Sequence, residues 1–112
     1  MQPEDYPKIS TIVKTTRLQL AANMQRTVSQ DEFGDMLVDG LVNVAISGTS
    51  VSAWENERYE PDSDLLWTLA VRHYGTADWR LKFALQCLRA KLPDVFDSGL
   101  VNVEELELSI AG

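Results

Sequence analysis

The stretch SGTSVSAWENERYEP, Ser47 to Pro61, decides how the chain is read. A serine is followed by a glycine and a run of small hydroxyl residues. Val51 and Trp54 lie three apart, the spacing that puts two side chains on one face of an α-helix. Ser47 is a good N-cap. The stretch therefore predicts a short helix with Val51 and Trp54 facing inward and Gly48, Thr49, Ser50 and Ser52 facing outward. Glu55, at its end, is expected to make a contact inside the molecule, and Arg58 is its nearest charge partner in sequence. Pro61 and Asp62 then break the chain.

Upstream, TVSQDEFGDML opens another helix. Ser29 is the cap and Glu32, three residues on, completes a capping box. Val28 can staple against Phe33. Asp31 and Glu32 suit the positive end of the helix dipole. Phe33, Met36, Leu37, Leu41, Val44 and Ala45 keep helical spacing. One long helix from Gln30 to about Val44 is therefore expected, running through Gly40 at a cost of roughly 1 kcal/mol. Further upstream, Ile12, Val13, Leu20 and Met24 mark a helix from about Pro7 to Arg26, preceded by a flexible arm at residues 1–7.

Downstream, Asp62 or Ser63 caps a fourth helix with Leu65, Leu66, Leu69 and Ala70 inward and Gly75 at its end. A fifth follows within TADWRLKFALQCLRAKLPDVF and stops before Pro93. It carries two apolar rows, one of Leu81, Ala84, Leu85 and Leu88 and one of Trp79, Phe83 and Cys87. The latter row suggests either a subunit contact or deeper packing within the chain. The tail GLVNVEELELSI alternates apolar and polar residues like a strand with a bulge, or forms a short helix around Glu104–Leu108. Residues 94–112 are thus expected to be an oligomerisation element beyond a domain spanning residues 8–93.

A chain of 112 residues with 45% hydrophobic residues suits one folded domain. It has no apolar run long enough to span a membrane and no signal-peptide pattern at its start. The single cysteine, Cys87, allows neither an internal disulfide nor a cysteine-based zinc site. These features predict a cytoplasmic protein without membrane attachment. The net charge of −7 is a mosaic. Nine acids and one base, Arg58, fall between Asp31 and Asp64, whereas Lys8, Lys14, Arg17 and Arg26 precede them. His73 has no partner at metal spacing and reads as a helix-end residue beside Tyr74. No Ser-His-Asp set, phosphate loop or carboxylate pair has catalytic spacing, so neither an enzyme nor a cofactor is expected.

Three segments in order, VSQDEFGDML, ISGTSVSAWENE and RYEPDSDLLWTLA, resemble the phage-repressor type of helix-turn-helix, the XRE or lambda-repressor-like family. VSQDEFGDML is similar to that family's Ser-Gln-Glu-x-Leu-Ala second helix. ISGTSVSAWENE is similar to its recognition helix, which ends Trp/Ile-Glu-Asn/x-Gly. RYEPDSDLLWTLA resembles the Pro-x-x-x-x-Leu-x-x-Leu-Ala passage into the fourth helix. VDGLVNVA, residues 38–45, is extra relative to the family spacing, and Ala45 stands where glycine is usual in the turn. The resemblance covers roughly Ile12 to Ala90 and implies a compact all-α, five-helix domain with a helix-turn-helix.

It also implies sequence-specific binding of double-stranded DNA as a transcriptional regulator; the apolar residues of the fifth helix and the tail predict a homodimer. The DNA-binding residues the resemblance implies are Gln30, Ser47, Gly48, Thr49, Ser50, Ser52 and Asn56, with Arg17 and Arg58 beside them. Gln30 matches a position that bonds a phosphate, and Thr49 and Ser52 are the expected base readers. Lys14, Arg17, Arg26 and Arg58 are the cations expected to meet phosphates. The competing expectation is an interaction module, an adaptor or anti-repressor, that keeps the fold without DNA binding. The acidic segment points that reading to a basic protein partner.

Overall fold

The computed structural model describes residues 7–94. Among them the chain is all-α, with five helices: α1 (Ile9–Met24), α2 (Gln30–Leu37), α3 (Gly48–Glu55), α4 (Ser63–Arg72) and α5 (Trp79–Lys91). The strand or short helix expected in the tail lies outside the described residues. The helices fall into two units. Ile9–Glu60 holds α1 to α3, and the unit that includes the chain from Pro61 onward holds α4 and α5.

In the first unit α3 packs against both α1 and α2. Ile12, Val13 and Leu20 of α1, Phe33 and Leu37 of α2, and Val51 and Trp54 of α3 are buried, together with Val28 ahead of α2. Each such side chain contributes roughly 1.5–3 kcal/mol relative to exposure. Met24, expected on the inner face of α1, is exposed. The first helix ends where Gln25 turns to φ 56°. Arg26 N then bonds Ala21 O and Gln25 N bonds Ala22 O, a left-handed cap that satisfies two carbonyls of the last turn. The end of α3 repeats this with Glu57 at φ 60°, Arg58 N on Ala53 O and Glu57 N on Trp54 O.

The capping box at Ser29 forms as expected: Glu32 N donates to Ser29 Oγ at 3.1 Å. The long second helix does not form. It stops at Leu37, and Val38–Gly40 turn away. Two backbone angles explain this: Gly40 takes φ 86° and Asn43 φ 61°, neither compatible with a right-handed helix. The apolar spacing beyond Leu37 is a poor guide because Val42 and Val44 are exposed, so no buried face rewards extension. The chain instead returns so that Ile46 lies against Gly34. A Cβ at Gly34 would sit 2.3 Å from Ile46 O, so the approach needs glycine in the middle of α2.

In the other unit α4 packs on α5. Leu66, Leu69 and Ala70 of α4 are buried, and Leu65 only partly. The fourth helix ends at His73 as C-cap, and Gly75, two residues on, takes φ 77°. Of the two apolar rows of α5, Leu81, Phe83, Ala84, Leu85, Cys87 and Leu88 are all buried, whereas Trp79 is half-buried. The ground for expecting Phe83 and Cys87 at a subunit contact is thereby removed. The fifth helix stops at Lys91, before Pro93, and Lys91 Nζ bonds Pro61 O at 2.8 Å.

Candidate functional site

The outer surface of α3 is built from its caps inward. Ser47 Oγ accepts from Ser50 N at 3.2 Å and lies 3.4 Å from Ser50 Oγ. Tyr59 OH reaches the same Ser50 hydroxyl at 3.3 Å. At the other end Asn56 Nδ2 donates to Ser52 O at 2.8 Å and to Ser52 Oγ at 3.2 Å. Thr49 is exposed between these pairs. The hydroxyl face expected from sequence is therefore present, although most of its groups already hold one another.

Gly48 departs from that expectation. It is buried rather than outward, because its N–H donates to Asp31 Oδ1 at 2.6 Å. A Cβ there would lie 2.3 Å from that oxygen and 2.8 Å from Asp31 Cγ. Asp31, at the start of α2, thus satisfies one of the open N–H groups at the start of α3. Sequence reasoning assigns Asp31 only to the dipole of its own helix. The Gly-x-Ser pattern after a capping serine does not reveal an acceptor 17 residues away.

The other end of α3 is clamped to α1. Arg17 Nε donates to Glu55 Oε2 at 2.8 Å and Arg17 Nη2 to Glu55 Oε1 at 3.0 Å, a two-pronged pair. Arg17 Nη1 donates to Val28 O at 3.0 Å, and Gln30 Nε2 donates to Glu55 Oε1 at 3.3 Å. The Glu55 side chain is only 4% exposed. Burial alone would raise its pKa; the bonds from Arg17 and Gln30 and the charges of Arg17 and Lys14 outweigh that and hold it below the ordinary value. The Arg17 pKa is raised, chiefly by its hydrogen bond to Glu55. Glu55 does make the expected internal contact, but with Arg17 rather than the nearer Arg58. Ser10, Thr11, Lys14 and Thr15 of α1 line a shallow polar recess beside Glu55.

The cations divide accordingly. Arg17 has every guanidinium nitrogen bonded inside the unit. Arg26 is paired with Glu32, Nη1 to Oε1 at 2.8 Å and Nη2 to Oε2. Lys14 and Arg58 are exposed.

A further polar cluster lies at the α4–α5 turn. Asp78 Oδ1 accepts from Arg80 N at 2.9 Å and Arg80 Nε at 2.8 Å, and Oδ2 accepts from Arg80 Nη2 at 2.7 Å. Led by the bond from Arg80, this pushes the Asp78 pKa down to about 2. His73 Nδ1 lies 3.7 Å from Asp78 Oδ2, and burial lowers the His73 pKa. No group of three or more His, Cys, Asp or Glu among the described residues could hold a metal ion. Nor is any helix among them long and apolar enough to cross a membrane.

No family model, curated protein or solved structure matches the chain. The geometry of the α2–α3 pair is therefore what bears on function.

Proposed function

We propose that this chain binds double-stranded DNA in a sequence-specific manner and acts as a cytoplasmic transcriptional regulator, with α2 and α3 as a helix-turn-helix and the working form a homodimer. The observation that carries this reading is the outer hydroxyl face of α3, on which Thr49 is exposed and Ser50 and Ser52 are half-buried. Thr49, Ser50 and Ser52 stand on a helix whose inner side is buried through Val51 and Trp54 and whose end is clamped by Glu55. A short rigid helix with small polar outer residues can enter a major groove without steric conflict. Gln30, at the N-terminus of α2, spends one amide hydrogen on Glu55, which leaves the other for a phosphate. Lys14 and Arg58 are the cations best placed to add phosphate contacts, and Arg17 becomes the clamp rather than a ligand.

With so few available cations the salt dependence is shallow, log affinity falling by roughly 0.9 per phosphate contact per decade of salt. Each neutral hydroxyl contact contributes about 0.5–1.5 kcal/mol, so specificity leans on DNA shape and on two half-sites bound together. The test is selection from random duplexes, followed by Thr49→Ala and Ser52→Ala on the enriched site. Loss of base preference at a few positions supports the reading. Absence of enrichment at low salt, or enrichment unchanged by both substitutions, ends it.

An alternative reading draws on a different surface. Asp35 and Asp39 are exposed, and Val42, three residues after Asp39, is 81% exposed. That combination suits a basic, partly apolar protein partner, and it is the first surface to test if duplex selection fails.

A further inference from the structure

Resting on the DNA-binding reading, the geometry points to Asp31 as a residue that determines base preference from outside the recognition helix. Asp31 belongs to α2, yet its carboxylate sits at the first turn of α3, held there by the 2.6 Å bond from Gly48 N to Oδ1. The fit is close enough that a single added carbon at Gly48 would collide with the carboxylate. One oxygen is therefore fixed to the α3 backbone. The residue itself is exposed, which leaves the other oxygen, Oδ2, for a ligand at the leading end of α3.

An ionised carboxylate only accepts hydrogen bonds. Placed at the leading end of a helix in the major groove, Oδ2 selects a base edge that offers a donor, the N4 amino group of cytosine or the N6 amino group of adenine. Guanine O6 and N7 and thymine O4 are acceptors, which it repels. A phosphate is repelled for the same reason, so the carboxylate also disfavours a register that puts the start of α3 on the sugar-phosphate backbone. The expected signature is one motif position, on the strand facing α3, occupied by cytosine or adenine.

The substitution D31N separates this role from a structural one. The amide oxygen keeps an acceptor for Gly48 N–H, while the amide nitrogen presents a donor where Oδ2 stood. Duplex selection is run on wild-type protein and on D31N, with circular dichroism and thermal melting of both. The expected result is that one position changes from cytosine or adenine to guanine or thymine, with the rest of the motif kept. The preferred base should be favoured by about tenfold in each protein. A parallel arm uses wild-type protein alone: a duplex in which that base lacks its exocyclic amino group should bind about tenfold more weakly.

An unchanged motif in D31N, uniformly tighter binding without a base switch, or indifference of wild-type protein to the missing amino group each overturns the assignment while leaving DNA binding in place. If D31N does not fold, each cytosine and adenine of the wild-type motif is replaced in turn by its analogue without the amino group: a loss of about tenfold at one position upholds the assignment, and a loss at none overturns it. Failure of wild-type protein to enrich any duplex removes the underlying reading and this inference with it.

Discussion

The two units of the chain differ in the reach of their polar groups. In Ile9–Glu60 local bonds such as Ser47 to Ser50 stand beside long-range ones that tie the helices together: Arg17 to Glu55 across 38 positions, Gln30 to Glu55 across 25, Asp31 to Gly48 across 17. In the unit from Pro61 onward the bonds are mostly local: Arg80 to Asp78 across two positions, Thr68 Oγ1 to Asp64 O across four. Lys91 on Pro61 O, across 30 positions, is a long-range bond in this unit. A short helix such as α3, with eight residues, is marginal by itself and must be held by its neighbours. Its directional ties set where its outer face points, which apolar packing alone would leave adjustable. The α4–α5 pair packs through buried leucines, Leu66 and Leu69 of α4 and Leu81, Leu85 and Leu88 of α5.

This contrast is tested hardest at Arg17. Arg17→Met leaves the Glu55 carboxylate almost fully buried, with Gln30 as its remaining donor. Removing one partner of a buried pair costs about 3–5 kcal/mol. Arg17 retains 17% exposure, so a loss of about 3 kcal/mol is expected in urea unfolding at neutral pH. A loss under about 1 kcal/mol would put this pair in the class of surface ion pairs, and the contrast between the units would fall.

A smaller effect separates the two units by their glycines. In the middle of a helix, Gly→Ala ordinarily gains up to about 1 kcal/mol. At Gly34 the added carbon meets Ile46 O at 2.3 Å and Ile46 C at 3.1 Å, and backbone cannot swing aside as a side chain can. Such overpacking costs about 1–3 kcal/mol, so Gly34→Ala should destabilise by about 1–2 kcal/mol in spite of helix propensity. Gly75 is different: nothing lies within 4 Å of a Cβ there, and only φ 77° constrains it. Asparagine, which tolerates that angle, should be accepted at Gly75 and rejected at Gly34. Equal melting temperatures for Gly34→Asn and Gly75→Asn would show that close approach does not govern the α2–α3 connection.

What can be read from sequence follows the same division. The caps at Ser29 and Ser47, the inner pair Val51 and Trp54, and the stop before Pro93 are local or periodic signals, and each is visible in a few adjacent letters. Periodicity carries the α2 helix too far because Leu41 and Val44 continue its spacing, and spacing does not say whether a face is buried. Gly40 in an apolar run is the available warning. The partner of Glu55 is not legible because Arg17 lies on another helix, and nearness in sequence favours Arg58. The bond from Asp31 to Gly48 is hidden for the same reason. The glycine inside α2 is the only local sign that another backbone comes close.

The smallest expected effect is at Asp78, where the tie is local and partly solvated. Asparagine is as good an N-cap as aspartate, so Asp78→Asn keeps a cap for α5 and removes mainly the charge that Arg80 grips. The folded Asp78 pKa is lowered from 3.8 to about 2. A carboxylate with a depressed folded pKa contributes stability that is fully present above its unfolded pKa and is lost as pH falls through the folded value. The gap between wild-type protein and D78N should therefore be constant from neutral pH down to about 4, then close as pH falls toward 2. The side chain is 24% exposed and water screens the pair, so the plateau should be about 1 kcal/mol. Thermal melts of both proteins across that range check the sign as well as the size. A gap that widens toward low pH would mean that the charge at Asp78 opposes folding. A plateau of about 3 kcal/mol would make this local tie equal to the long-range clamp at Arg17, erasing the distinction between the units.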